Sequence, residues 1–161
     1  MELKIIKKGT ELLRGESGRK TPSINRNFSY YLFGNNAKRI AEAAYLKTPT
    51  SKLKTFTTSK ELKLVKMDNI LNIINLLKMS ENNSTVTKAI LKSFRIPDNN
   101  NVVLRNSKSK YDDVVVEFLC SKGYDGYYAD KMGQKRGGRL FHQEIVICKP
   151  RNALVRSIPN R

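Results

Sequence analysis

The chain has 161 residues, a mass of 18.4 kDa and a formal net charge of +17, from 31 Lys and Arg against 14 Asp and Glu. This length is enough for one domain with a hydrophobic core, so we expect a single domain over residues 1–161. The first residues show no signal-peptide pattern and no window reaches a membrane-spanning length, which predicts an intracellular protein not secreted by a signal of its own and not bound to a membrane.

The positive charge would attract polyanions such as DNA or RNA. The chain is also rich in Asn and Ile, and Lys, Asn and Ile together are typical of an AT-rich genome, so codon bias can account for part of the Lys excess. The basic residues are scattered along the chain rather than gathered in an arm. Nucleic-acid binding therefore stays open as one interpretation.

Strand patterns dominate the first 66 residues. Period-two and aromatic-rich runs predict strands in residues 2–14 with a break at Gly9, in 28–33, and in 53–58 and 61–66, the last two being two strands or one bent strand. A basic loop is expected over 16–27 and a helix over 37–46.

Apolar residues at helical spacing predict three helices in the second half of the chain. The first runs from a cap at Asp68 to about Lys78, the second from Ser84 to Phe94, and the third from a cap at Asp112 to Lys122, followed by Gly123. Strands over 124–129, 140–148 and 153–158 complete the prediction, with a Gly-rich basic turn at 133–138. This order predicts an α+β fold with a helical insertion between two groups of strands.

Cys120 and Cys148 lie in segments with a core-like pattern. Two cysteines far apart do not make a disulfide framework, so we expect buried thiols in a reducing compartment.

The most informative stretch is 139–148. Ile145-Val-Ile-Cys148 is apolar, which predicts a strand buried on both faces, and His142, Gln143 and Glu144 come directly before it. A carboxylate at the end of a buried strand is held rigidly and is partly desolvated, so it can be aimed at a substrate. A strand whose terminal polar residues simply face water would give the same pattern.

Several common chemistries are excluded. One His and two Cys do not supply the usual zinc ligands, and no acidic cluster offers oxygen ligands for Mg²⁺. The motifs Gly-x-x-x-x-Gly-Lys, Gly-x-Gly-x-x-Gly and Gly-x-Ser-x-Gly are absent. We therefore expect no metal site.

Four segments in chain order resemble the ADP-ribosyltransferase superfamily, which contains mono-ADP-ribosylating toxins and the catalytic domains of poly(ADP-ribose) polymerases. They are Leu13-Arg14-Gly15, Tyr31-Leu-Phe33 with the helix Ala37…Ala41…Tyr45, the strand pair from Phe56 to Asp68, and Gln143-Glu-Ile-Val-Ile-Cys-Lys-Pro-Arg-Asn-Ala-Leu. They resemble, respectively, the first-strand motif, the "Tyr-Phe … Ala … Tyr" block, the strands after it, and the closing "Glu-x-x-Val-x-Asn-Pro" strand. Gly123-Tyr-Asp-Gly-Tyr-Tyr is also typical of the family.

The resemblance implies a fold of split antiparallel β-sheets. The size and composition of the chain suggest a viral or phage member of the family, which would act in the cytoplasm or nucleus of a host cell. It also implies an enzyme that transfers ADP-ribose from NAD to a protein or nucleic-acid acceptor and releases nicotinamide, with Glu144 as the catalytic residue. Glu144 would bind the ribose 2′-hydroxyl and stabilise an oxocarbenium-like transition state. NAD is then a substrate, and no metal takes part.

The resemblance also implies residues that bind NAD. Arg14 would pair with the phosphates and the backbone of Gly15 with the nicotinamide amide. Tyr30 or Tyr31 would stack on the nicotinamide ring; Tyr31 matches the family motif better, and Ser29 would share its face.

His142 completes the expected NAD-binding set, but it departs from the family pattern, because toxin-like enzymes that modify Arg carry Glu or Gln two residues before the catalytic Glu. The aromatic strand also lacks the family's Ser-Thr-Ser. The acceptor therefore stays open. The alternative is a non-catalytic, basic protein that binds nucleic acid or associates with a virion.

Overall fold

The computed structural model describes residues 1–16, 28–34, 37–38, 52–95, 103–104, 109–132 and 142–156. The strands in this part are β1 (Leu3–Ile6), β2 (Glu11–Glu16), β3 (Phe28–Leu32), β4 (Lys52–Thr58), β5 (Leu62–Lys66), β6 (Phe94–Arg95), β7 (Val103–Leu104), β8 (Gly126–Met132), β9 (His142–Cys148) and β10 (Leu154–Arg156). The helices are α1 (Ile70–Met79), α2 (Ser84–Ser93), α3 (Ser109–Ser121) and α4 (Pro150–Ala153).

Eight strands form one sheet in the order β1-β5-β8-β9-β3-β2-β4-β10, and β6 and β7 pair separately. Each neighbouring pair in the large sheet is antiparallel except β5 and β8, which run parallel. The chain is thus a single α+β domain with a mixed sheet and, in its described part, four helices. The expected helical insertion is confirmed, since α1, α2 and α3 lie between β5 and β8 in the chain. The expectation of split antiparallel β-sheets is not met in the described residues, because these eight strands form one continuous sheet and because β5 and β8 run parallel.

Two short connections, from β1 to β2 and from β4 to β5, require the sheet to curl. Strands β1 and β2 are five positions apart in the sheet, which is about 24 Å in a flat sheet. The link Lys7–Thr10 spans at most about 18 Å from the end of β1 to the start of β2. Backbone hydrogen bonds close the curl, because Gly9 N–H donates to the Thr58 carbonyl at 2.9 Å and Thr58 N–H donates to the Thr10 carbonyl at 2.9 Å.

Curling gives the sheet an inner face, which we define by the cluster of hydrophobic side chains buried against that face. The members are Ile6, Leu12, Tyr31, Leu62, Leu64, Tyr128, Ile145, Ile147 and Ala153, with Phe33, Phe56 and Leu154 packed against them. The cluster draws on both halves of the sheet, so burial of apolar area holds the halves together.

The opposite side of the sheet, the outer face, carries helices α1–α3. Val65, Tyr127, Ala129 and Val146 of the sheet share a cluster with buried residues of these helices. Asn72 of α1 is 1% exposed and joins three elements through hydrogen bonds. Its amide nitrogen donates to the carbonyls of Glu2 and Lys66 at 2.8 Å, and its oxygen accepts from Glu2 N–H at 2.9 Å.

The structure corrects two helix starts and one helix face. The N-cap of α1 is Asn69 rather than Asp68, because the Asn69 side chain accepts from the backbone N–H groups of residues 71 and 72. Helical spacing predicts an apolar stripe of Ile70, Ile73, Ile74 and Leu77 on this helix. Ile74 is 39% exposed, however, and Leu76 is buried instead. Helix α3 begins at Ser109, before the expected cap at Asp112.

Segments 53–58 and 61–66 form two separate strands, β4 and β5, that lie far apart in the sheet order.

Other expectations lie wholly or partly outside the described residues. Positions 37 and 38 are helical, but the rest of the expected 37–46 helix lies outside the described residues. So do most of the loop over 16–27 and the Gly-rich turn at 133–138.

The expectation of free thiols is wrong. Cys120 at the end of α3 and Cys148 at the end of β9 form a disulfide with a Cα–Cα distance of 5.9 Å. The sequence did not indicate this pairing because the residues are 28 positions apart and meet only when α3 packs on the sheet. The bond fixes the outer helix layer to the strand that carries Glu144.

Candidate functional site

The three strands that carry the predicted site residues are immediate neighbours. Strand β3 lies between β2 and β9, so the order is β9-β3-β2. Position 144 of β9 is far from Arg14 of β2 in the chain, yet only one strand separates their strands in the sheet. The fold therefore brings the predicted segments together.

Register divides the predicted residues between the two faces. Leu13 pairs with Leu32, Leu32 with Glu144, and Glu144 with Ala129, so these four positions form one row across the sheet. Ala129 belongs to the outer-face cluster, which places position 144 in an outer-face row. In the next row, Tyr31 pairs with Ile145 on the inner face.

Strand alternation extends this division to the other candidates. Positions 142 and 144 share a face because they are two residues apart on one strand. For the same reason position 30 shares the face of Leu32 and position 15 shares the face of Leu13, and both leucines lie in the row of position 144. Position 30 is a diagonal neighbour of position 144, and such neighbours lie about 7–8 Å apart. By register, positions 15, 30, 142 and 144 thus fall on the outer-face side of the alternation.

Arg14, Ser29 and Tyr31 alternate to the inner face. Tyr31 is 4% exposed and meets Phe56 edge-on, with ring centroids 5.3 Å apart. The Arg14 guanidinium lies over the Tyr31 ring at 5.9 Å, and Lys54 is the register partner of Arg14. Because Tyr31 is part of the core, its ring is not open to a ligand in this arrangement.

A second cation–ring contact lies on the inner face, and the sequence patterns did not indicate it. Lys4 Nζ lies 5.3 Å from the Tyr128 ring centroid and 5.7 Å from that of Phe33. These are favourable cation–π distances. The inner face is therefore lined at this end by aromatic rings covered by basic side chains.

Strand β9 is held by tight packing against β8. Ile145, Val146 and Ile147 are all 0% exposed, as expected for a strand buried on both faces. Gly126 of β8 has φ +143°, and a Cβ there would lie 1.7 Å from the Val146 carbonyl oxygen. Only glycine allows this approach, so it fixes the position of the strand that carries Glu144.

A separate pocket lies on the helical insertion. It has a volume of about 450 Å³ and is lined by Ser84, Thr85, Lys88, Ala89, Tyr111 and Val114. These residues belong to α2 and α3, and none of them is on the β9-β3-β2 strands. The pocket is not part of the predicted site.

The described part of the chain contains no group of three or more His, Cys, Asp or Glu side chains placed to hold a metal ion. Within the same residues, no helix has the length and apolar character needed to cross a membrane.

Comparisons with protein-family models, with curated proteins and with solved structures find no match for this chain.

Proposed function

We propose that this chain is an NAD-dependent ADP-ribosyltransferase with an ADP-ribosyltransferase-like fold and with Glu144 as its catalytic residue. The observation that carries the proposal is the adjacency of β9, β3 and β2. These strands hold the three segments that resemble the family's motifs, and they are consecutive in a sheet of eight.

In the proposed reaction the bond between nicotinamide and ribose breaks, nicotinamide leaves with the bonding electrons, and an acceptor nucleophile bonds to the ribose carbon. The ribose carries positive charge in the transition state, which a fixed carboxylate at position 144 stabilises. The packing of Ile145 to Ile147 and of Gly126 supplies a rigid strand for this carboxylate.

With Glu144 as the catalytic residue, the register favours binding of the nicotinamide end of NAD at the outer face. Gly15 would offer its backbone to the nicotinamide amide, and His142 would lie beside the ribose. Tyr30, rather than the buried Tyr31, would stack on the ring, because position 30 shares the face of position 144. The proposal predicts that Tyr30→Ala raises KM for NAD, whereas Tyr31→Ala chiefly lowers the free energy of unfolding.

Arg14 needs a test of its own, because it lies on the inner face against Tyr31. If it binds the NAD phosphates, Arg14→Ala raises KM for NAD with little change in stability. If it supports the sheet through Tyr31, the same variant lowers the urea midpoint and leaves KM unchanged. Arg14→Lys keeps the charge but loses the bidentate geometry, so it restores KM only in part if phosphate pairing is the role.

The function is tested by nicotinamide release from NAD with purified protein, alone and with DNA, RNA or protein acceptors. Glu144→Gln should keep the fold and NAD binding and lose turnover. Glu117→Gln is a matched control, because Glu117 is an exposed acid on α3. Release that is equal in all three proteins would refute the assignment of Glu144.

The net charge of +17 supports a second candidate, a non-catalytic nucleic-acid-binding or virion-associated protein. This candidate predicts tight, salt-dependent binding to DNA or RNA with no nicotinamide release from the folded protein. Affinity that is the same at low and physiological salt would refute it.

A further inference from the structure

One end of the sheet brings together six exposed cations from four parts of the chain. They are Lys7 and Lys8 in the β1–β2 link, Lys60 after β4, Lys63 in β5, and Lys149 and Arg151 around α4. We call this surface the basic end. The described acids of the same segments are Glu11, Glu61 and Asp125, so cations are in excess.

Hydrogen bonds hold these segments in place. The Thr58 hydroxyl donates to the Lys7 carbonyl at 2.9 Å and accepts from Thr10 N–H at 2.9 Å. On the other side, Ser59 N–H donates to the Ala153 carbonyl at 2.8 Å. Links 7–10 and 152–154 therefore flank the end of β4 on both sides, about 10 Å apart.

Asp125 connects the remaining segments. Its carboxylate accepts from Lys63 N–H at 2.8 Å and lies 3.7 Å from Lys60 Nζ. Its carbonyl accepts from Cys148 N–H at 2.8 Å, which places Lys149 beside the same group. Asp125 thus offsets part of the charge of Lys60, and Lys7, Lys8, Lys149 and Arg151 make up most of the remaining excess.

We infer that the basic end binds the phosphodiester backbone of a nucleic acid. The links that flank the end of β4 are about 10 Å apart, a span that matches two or three successive phosphates, which follow one another at about 3.4 Å of axial rise per strand. The exposed side chains of residues 7–11, 59–63 and 149–153 are Lys, Arg, Glu and Asn, and the exposed apolar side chains next to them in the chain are Ile5 and Val155. That chemistry contacts phosphates, whereas a protein partner requires an apolar centre to its interface.

The basic end is distinct from the candidate catalytic position. Residue 148 is four residues along β9 from position 144, which is about 13 Å. The inference holds whether or not the chain cleaves NAD, since the backbone contact uses other residues. Binding without NAD therefore tests it separately from the proposed enzyme function.

The test is the salt dependence of binding to a labelled 30-nucleotide single strand and to the matching duplex. In one variant Lys7, Lys8, Lys149 and Arg151 are replaced by Gln. If all four contact phosphates, the slope of log K against log salt falls by about 3.6 for the duplex and about 2.8 for the single strand. With affinities that converge at 1 M salt, affinity at 0.1 M salt should fall by roughly 600-fold for the single strand and 4,000-fold for the duplex.

A control variant with the same charge change carries Lys78→Gln, Lys88→Gln, Lys92→Gln and Lys122→Gln, all exposed positions on or next to helices α1–α3. It should keep the slope of the parent protein. Equal losses in the two variants would show that only net charge matters and would overturn the inference. So would binding of polyglutamate with no binding of either nucleic acid, because the surface would then fit an acidic protein.

Two double variants guard against misfolding. Lys7→Gln with Lys8→Gln, and Lys149→Gln with Arg151→Gln, should each remove about half of the slope change while keeping the urea midpoint. Unchanged slopes in both double variants would also overturn the inference.

Discussion

Breaking the Cys120–Cys148 disulfide should destabilise the folded protein by an amount that follows from the chain length it closes. With a sequence separation of 28 between the cysteines, the loss of unfolded-chain entropy corresponds to about 3.5 kcal/mol at 25 °C. At a typical urea dependence of about 2 kcal/mol per M, the urea midpoint should fall by roughly 1.5 to 2 M.

The assay is urea unfolding of the oxidised protein followed by circular dichroism, with Cys120→Ser, Cys148→Ser and the double variant. Either single substitution removes the whole bond, so the three variants should lose about the same amount. A dithiol reductant should lower the midpoint of the parent protein to match them, and it should not change the double variant.

Thiol titration supplies the refuting result. If the oxidised, folded protein has two reactive thiols, or if the two single losses add up in the double variant, the cysteines act by packing alone and the bond does not form. A bond of this kind persists in an oxidising environment and is reduced by cytosolic thiols. The measurement therefore also bears on the expectation of an intracellular protein.

Three further predictions concern the frame around the site. Gly126→Ala should lower the free energy of unfolding by more than about 3 kcal/mol or prevent folding. Gly9→Ala, at φ +87° with open space around it, should lower it by about 1–2 kcal/mol. Equal losses in urea unfolding would refute the argument that Gly126 is needed for the close approach of β8 and β9. Asn72→Ala should cost about 1–3 kcal/mol, because it removes three hydrogen bonds to the part-buried backbone of Glu2 and Lys66, and a midpoint within error of the parent would contradict this. The hydrogen bond and charge of Lys66 lower the pKa of Glu2 below 4.5, so the stabilisation is present above pH 4.5 and is lost as the pH falls through the lowered pKa; Glu2→Gln should remove this part of the acid dependence of unfolding.

Local patterns predicted the order and type of most elements correctly. The run Ile145–Ile147 is continuous and apolar, and it is a strand buried on both faces. Helix α2 spans nearly the predicted residues because its apolar spacing is regular. The α1 cap was misplaced by one residue because Asp68 and Asn69 are both good caps, and only the position of the chain relative to β1 decides between them.

Features that depend on tertiary contacts could not be predicted in the same way. The parallel β5–β8 pair depends on the crossover through the helical insertion, and the curl of the sheet depends on links 7–10 and 59–61, which join strands far apart in the sheet order. The disulfide depends on the packing of α3 against β9. Local periodicity contains no information on any of these contacts.

The candidate site was predictable only as a set of segments. The sequence indicated that Arg14, Tyr31 and Glu144 belong to strands, and the structure places those strands side by side. The sequence did not indicate the register between strands. A one-residue difference in register decides whether Tyr30 or Tyr31 shares a face with position 144.

The proposed function is tested most directly by measuring nicotinamide released from NAD by the parent protein and by Glu144→Gln, with NAD binding measured for both. We expect release by the parent, at least 100-fold less by the variant, and similar NAD affinity for the two. Release that persists unchanged in Glu144→Gln, or folded parent protein that neither binds NAD nor releases nicotinamide with any acceptor, would contradict the proposed function.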